Sequence, residues 1–294
     1  MQNKIIDGKS ISVEIRNEVK AQTEILKREK GITPGLAFII AGDNPASKVY
    51  VRNKGKACEE AGFYSVTEHL SENVAEKELL SLIEKFNKDD KIHGILMQLP
   101  LPVHLDTRKI IESINFKKDV DGFHPVNAGN LSIGEKCFVP CTPLGIVEML
   151  KREKIETSGK HSVVIGRSNI VGKPVAALLL RKDYNCTVTV SHSKTPDMKL
   201  ISSQADILIA AIGKANYIKK DYIKEGCVIF DVGINRVEDS SAKSGYRITG
   251  DVDYEDCFEK CGMITPVPGG VGPMTIAMLL RNTLDSAKGV VYER

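Results

Sequence analysis

Apolar residues recur at helical spacing at Ile11, Ile15, Val19 and Leu26, which predicts an amphipathic helix starting after Ser10 and ending at Gly31. The pattern then changes. Residues 36–41 read LAFIIA, an unbroken apolar run of strand length, and Asp43-Asn44-Pro45 supplies the turn and first-turn proline of a helix running to Gly62. A further strand is expected over residues 65–70, after which Asn73 with Glu76 has the form of a capping box for a helix carrying Leu79, Leu80, Ile83 and Phe86. Residues 94–99 are strand-like and apolar except for Gln98. Strands alternating with helices in this way imply a parallel sheet whose ligands lie beyond the carboxyl ends of its strands, and Gln98 falls at such an end.

From residue 115 to 141 the periodicity vanishes and Gly, Pro and Asn dominate. Irregular stretches of that length inside a compact protein are functional segments or linkers. Thr142-Pro143 then opens a helix through Leu150 that would bridge two domains. A second α/β series follows, with strands over 161–165, 186–190, 205–211 and 227–232 and a helix from Gly172. A last helix over 273–287 is expected to return to the first domain. The expectation is a two-domain α/β fold: residues 1–141, with 273–294 packed back on them, and a Rossmann-type domain over 142–272. A chain of 294 residues exceeds the usual size of a single core and suits that division.

Composition narrows the class. Hydrophobic residues at 42% and charged residues at 27% are ordinary for a soluble globular protein. The formal net charge of +3 is spread evenly, and dense basic spots such as Lys117-Lys118 and Lys219-Lys220 are only pairs, so neither nucleic acid nor a membrane surface is expected as a partner. The start of the chain lacks the apolar core of a signal peptide and no apolar run approaches a membrane span, which predicts a cytoplasmic protein. Seven cysteines, an odd number, argue for reduced thiols. Cys137-x3-Cys141 and Cys257-x3-Cys261 lie far apart and lack tight CxxC spacing, so no metal is expected.

Residues 163–174 place a glycine turn between a strand and a helix, the setting in which backbone N–H groups meet a phosphate. The turn departs from G-x-G-x-x-G. Gly166 keeps the first position, but Ser168 stands at the second and Val171 at the third, with Gly172 one residue later; an ordinary strand-to-helix turn remains the competing reading. The next strand ends in Ser191-His192-Ser193-Lys194 and not in the carboxylate that would favour NAD. Ser193, Lys194 and Arg167 suit a 2′-phosphate instead, which points to NADP; alternatively they decorate exposed strand ends. Tyr50 and Lys54, four apart, share one helix face with Ser47 close by. Spacing alone leaves that pair as an amphipathic edge.

Six stretches change the weighing: residues 46–57 (ASKVYVRNKGKA), 94–102 (GILMQLPLP), 118–125 (KDVDGFHP), 140–143 (PCTP), 166–168 (GRS) and 266–275 (PVPGGVGPMT). In this order they resemble the bifunctional methylenetetrahydrofolate dehydrogenase/methenyltetrahydrofolate cyclohydrolase family across nearly the whole chain. The resemblance implies an amino-terminal folate domain, a Rossmann-type NADP domain, a cleft between them, and a homodimer. It makes Lys54 the catalytic lysine, Tyr50 the ring stacked on the folate, Gln98 the lysine's hydrogen-bond partner and Asp121 the pterin anchor. Ser47 belongs to the same pocket. Gly269, Gly270, Gly272 and Pro273 would lie beside the substrate, while Gly166, Arg167, Ser168, Gly172, Ser193 and Thr275 would hold NADP.

The implied chemistry suits these residue types. Oxidation of 5,10-methylenetetrahydrofolate leaves a delocalised cation, so positioning two rings dominates that step and no metal is required. Hydrolysis then needs a group to move protons at the cationic carbon and the ring nitrogen. A lysine amine does this in its neutral form, which desolvation beside a cation favours, and uncharged Gln98 can orient it. Asp121 can accept two N–H bonds from the amino-pyrimidine edge. Three other readings stay open: a dehydrogenase lacking the hydrolase, an amino-acid or shikimate-type dehydrogenase, and a non-catalytic nucleotide sensor.

Overall fold

In a computed structural model the described residues are 4–241 and 245–293, without the Ala46 side chain; Met1–Asn3, part of the leader reading, lie outside them. The chain divides into two compact units, a first of Val13–Cys141 with Ile276–Arg294 and a second of Met1–Ser12 with Thr142–Thr275. The expected domain bounds ran from residue 1 and closed the second domain at 272. Met1–Ser12 groups with the later stretch because Ile5 bridges Ile264 in parallel, and because Ile6 N donates to Ile264 O at 3.0 Å and Lys9 N to Gly269 O at 2.8 Å.

Helix α1 (Gly8–Lys30) starts before Ser10, since Asp7 Oδ1 accepts the Ser10 N–H at 3.0 Å and caps it. Its stripe Ile11, Ile15, Val19 and Leu26 is buried, and Gly31 at φ 65° ends it. The first unit is built on a parallel three-stranded sheet of β1 (Gly35–Ala41), β2 (Tyr64–Leu70) and β3 (Gly94–Met97) in the order β2-β1-β3. Central β1 buries all seven residues, which is why its sequence shows no alternation. Around the sheet stand α2 (Pro45–Glu60), α3 (Glu76–Lys88), α4 (Thr107–Ser113), α5 (Pro125–Ile133) and the start of α6 (Cys141–Arg152). Ile39, Ile83, Phe86, Ile95 and Ile110 share one core.

Two expectations fail here for local reasons. The Asn73–Glu76 box does not form: α3 begins after Ala75 with no side-chain cap, and Asn73 is spent in the preceding turn, its N–H on Ser71 Oγ at 3.2 Å. The stretch 115–141 is not wholly irregular either, because α5 occupies its middle. His124 Nδ1 accepts the Val126 N–H at 3.1 Å, Pro125 fills the first turn, and Gly134 at φ 82° closes the helix. A histidine is an unusual cap, so the pattern hides it. Helix α4, capped by Asp106, is also absent from the expected elements.

The second unit holds a parallel five-stranded sheet of β4 (His161–Ile165), β5 (Thr187–Ser191), β6 (Ile207–Ala210), β7 (Val228–Asp231) and β10 (Met263–Ile264), in the order β10-β7-β6-β4-β5. Strand order reverses beside β4, between β5 and β6, and ligands of open α/β sheets sit beyond strand ends at such a point. Helices α7 (Gly172–Leu180), α8 (Met198–Ser202) and α9 (Tyr254–Phe258) and the hairpin β8 (Asn235–Glu238) with β9 (Tyr246–Thr249) belong to this unit. Helix α10 (Val271–Lys288) contributes its first turn here and the remainder to the first unit.

Candidate active site

Helix α2 carries three of the expected residues. Asn44 Oδ1 accepts the Ser47 N–H at 3.3 Å at its start, and from there Ser47, Tyr50 and Lys54 follow one side of the helix. Ser47 is buried, Lys54 half-buried, and Tyr50 45% exposed, which leaves its ring face open to a flat ligand. Gln98 follows β3, and its N–H donates to Ile39 O at 2.9 Å, carrying the β1 pairing one residue further. Its side-chain Nε2 donates to Leu99 O at 2.7 Å. That bond turns Oε1 toward α2, where Lys54 Nζ donates to it at 3.3 Å. The amine is thus oriented by a neutral acceptor, which fixes its position without adding a second charge.

Asp121 stands near this amine on a loop held by its neighbours. Asp119 is buried, and its Oδ2 accepts the His124 N–H at 2.7 Å and Asn127 Nδ2 at 2.9 Å. From α10, Asn282 Nδ2 donates to Val120 O at 2.8 Å and to Val139 O at 3.0 Å, tying both sides of the loop. Cys141 Sγ lies 3.7 Å from Asp121 Oδ1 and donates to it. Burial pushes the Asp121 carboxyl up to about 6; the Lys54 charge opposes that rise, Asp119 adds to it, and the Cys141 hydrogen bond opposes it. A carboxyl so placed is mostly ionised at neutral pH and takes up a proton slightly below it. Lys54, Gln98 and Asp121 therefore come together, with Tyr50 one turn before the lysine.

In the second unit the expected cofactor residues gather at the carboxyl end of the sheet. Gly166 follows β4 at φ 135°, and a Cβ there would lie 2.2 Å from Ala211 O, after β6. Gly172 packs on Gly166 O just as tightly, at 2.1 Å for a Cβ. Only glycine fits either position, so strand, turn and helix start are in close contact. Ser168 Oγ accepts the N–H groups of Val171 at 3.1 Å and Gly172 at 3.4 Å and tightens the entry to α7. Arg167, Ser193 and Lys194 are exposed, and no acidic residue stands between Ser191 and Thr195. A tight glycine turn at a helix start with cationic side chains at hand fits a phosphorylated dinucleotide. Gly269 and Gly270 precede α10, whose first turn contains Gly272, Pro273 and Thr275; Thr275 Oγ1 lies 2.9 Å from Thr142 Oγ1.

Sequence reasoning passes over Asp119, Cys141 and Asn282. Asp119 is two residues from Asp121 in a Gly- and Asn-rich loop, which is a usable signal for a carboxylate that organises backbone. Asn282 offers none, since its partners are 162 and 143 residues away. Cys141, expected as a reduced thiol with no part in the site, donates a hydrogen bond to Asp121.

Comparison with known proteins matches two successive stretches of the chain. Residues 6–121 match the family described as tetrahydrofolate dehydrogenase/cyclohydrolase, catalytic domain, and residues 140–291 match the NAD(P)-binding domain of the same description. The chain is 55% identical over 286 residues to the bifunctional protein FolD of Prosthecochloris aestuarii, covering 96% of this chain and 97% of that one. It is similar in structure to the bifunctional methylenetetrahydrofolate dehydrogenase/cyclohydrolase of Campylobacter jejuni, with a TM-score of 0.92, 52% identity and coverage of 97% and 99%. The methylenetetrahydrofolate dehydrogenase-cyclohydrolase of Trypanosoma brucei, solved with NADP cofactor and an inhibitor, superposes with a TM-score of 0.93 at 39% identity, covering 98% of each chain.

Proposed function

The chain belongs to the tetrahydrofolate dehydrogenase/cyclohydrolase family, and from that membership we propose that it oxidises 5,10-methylenetetrahydrofolate to 5,10-methenyltetrahydrofolate with NADP+ and hydrolyses this product to 10-formyltetrahydrofolate. The observation that carries the reading is the Lys54–Gln98 hydrogen bond beside Asp121. It joins a proton-carrying group, a neutral orienting group and an anionic acceptor, which the second reaction requires together.

When bound, NADP+ supplies the hydride acceptor of the first step. Gly166, Ser168 and Gly172 shape its phosphate turn, with Arg167 and Ser193 at the 2′-phosphate and Thr275 in the same set. On the folate side Tyr50 stacks against the ring system and Asp121 accepts N–H bonds from the amino-pyrimidine edge. Ser47 lines that pocket, and Gly269, Gly270, Gly272 and Pro273 complete the substrate contacts. In the second step water adds to the cationic methenyl carbon. Lys54 takes a proton from the adding water and returns one to the departing ring nitrogen, while Gln98 keeps the amine aimed at the reacting atoms. A homodimer in the cytoplasm is part of this reading; the dimer is what the resemblance to the family implies, and light scattering on the purified protein tests it.

The direct experiment supplies the purified protein with 5,10-methylenetetrahydrofolate and NADP+ and follows NADPH together with the methenyl chromophore. NADPH formation with methenyl absorbance that rises and then decays is expected. A stable methenyl end product would leave a dehydrogenase alone, and absence of NADPH would overturn the assignment.

A further inference from the structure

Two carboxylates that the reaction does not use are buried at the carboxyl end of the five-stranded sheet. Asp251, fully buried, accepts three consecutive backbone N–H groups of the turn after β6: Ile212 at 2.6 Å and Gly213 at 2.8 Å on Oδ2, and Lys214 at 2.9 Å on Oδ1. Asn235 Nδ2 adds a fourth bond at 2.9 Å. Asp231, the last residue of β7, accepts the N–H groups of Gly233, Asp251 and Val252, each at 2.9 Å, and so braces Asp251 from behind. Side chains are excluded around them: a Cβ on Gly233 would lie 2.3 Å from Asp251 Oδ1, and one on Gly250 would lie 1.8 Å from Asp231 Oδ2.

Convergent backbone amides form an anion-binding concavity, and here the anion is an internal side chain. Charge-assisted bonds of this kind are roughly twice as strong as neutral ones, so the 212–214 turn has one preferred shape. That turn leads directly from Ala211, whose carbonyl rests against Gly166, whose own carbonyl rests against Gly172. Ile165, Ala210 and Asp231 are level in the sheet register, so the contacts run along a single rim.

We propose that Asp251, braced by Asp231, is a positioning residue for NADP+: it holds the 212–214 turn and, through Ala211, the glycine turn at Gly166 in the shape that receives the dinucleotide. The proposal rests on the reading of this unit as the NADP half of the enzyme. Asp251 does not touch the reacting atoms, and the hydrolytic step, which needs no dinucleotide, does not depend on it.

Asp251→Asn keeps the side chain's shape but turns an N–H donor toward amides that also donate. The KM for NADP+ should rise about 10–100-fold, the loss of charge-assisted hydrogen bonding, while hydrolysis of added methenyltetrahydrofolate proceeds at the wild-type rate. Amide exchange should quicken at 212–214 and also at 166–172, which a purely local role would leave unmoved. An unchanged KM, or equal loss of both activities in a folded variant, overturns the proposal. Should Asp251→Asn fail to fold, Asn235→Ala removes only the fourth bond and is expected to raise the KM about threefold or more, with the same split between activities; no rise overturns the proposal. Titration of the wild-type protein with NADP+ separates the two levels, since absence of uptake there refutes the functional reading first.

Discussion

Lys54 and Asp121 are neighbours, yet their substitution should have different consequences. Hydride transfer needs no proton shuttle at the reacting carbon, whereas hydration and ring opening do. Lys54→Gln, of similar length but unable to exchange protons, should slow methenyl hydrolysis by about 10²–10⁴-fold while NADPH formation stays measurable, so methenyltetrahydrofolate accumulates. Wild-type methenyl decay in that variant would remove Lys54 from the mechanism. Asp121→Asn replaces an acceptor oxygen with a donor, and both activities should fall together with folate affinity. Its stability should move the other way. The folded carboxyl titrates at about 6, above the ordinary value near 3.9, so between those values the folded state holds more protons than the unfolded one. Stability therefore grows as pH falls through 6, and the ionised form costs stability above it. Asparagine avoids that cost: Asp121→Asn should melt higher than wild type at pH 7.5, with the gap narrowing at pH 5. A gap that widens on acidification would show that the carboxylate is stabilised by its surroundings rather than strained by burial.

At the scale of elements, what the sequence discloses follows the range of the interactions. Strands β1, β3, β4, β6 and β7 and helices α1, α2, α7 and α10 are legible because burial writes an apolar run or stripe directly into the chain. The site on α2 is half legible: Tyr50 and Lys54 share a face by spacing, but Gln98 reaches Lys54 only through the pairing of β1 with β3, which no local pattern encodes. Helix α5 hides behind a histidine cap, and the Asp251 network depends on turns after three different strands. The turn between β4 and α7 is the element whose chemistry is easiest to isolate. With an exposed guanidinium at Arg167 and no carboxylate after β5, Arg167→Ala should weaken NADP+ by about 1.5–3 kcal/mol and leave NAD+ nearly untouched. Comparing dissociation constants for the two dinucleotides decides it, because equal losses would mean that Arg167 supports the turn and does not read the 2′-phosphate.

Neither unit of the molecule is a continuous stretch of chain, and this organisation has a consequence for truncation. The chain passes between units within α1, α6 and α10, at Ser12, Cys141 and Thr275. Residues 1–275 contain every segment of the second unit, including Ile6, which is fully buried and bonded to Ile264. They lack the part of α10 that completes the first. That part buries Ala277, Met278, Leu279, Leu280, Leu284 and Ala287, and its polar residues are equally committed: Asn282 binds the carbonyls on both sides of the Asp121 loop, and Ser286 Oγ donates to His93 O at 2.6 Å. Deleting it exposes a core face and leaves buried carbonyls unpaired, each at a cost of about 1–3 kcal/mol, in a unit whose total stability is of the order of 5–15 kcal/mol. A chain ending at Thr275 should therefore lose folate binding and methenyl hydrolysis while still taking up NADP+ in a titration. Retained folate binding would mean that the three-stranded sheet and its helices suffice for the first unit. Loss of NADP+ uptake as well would mean that the second unit cannot fold without the first, and the two would then have to be treated as a single cooperative body.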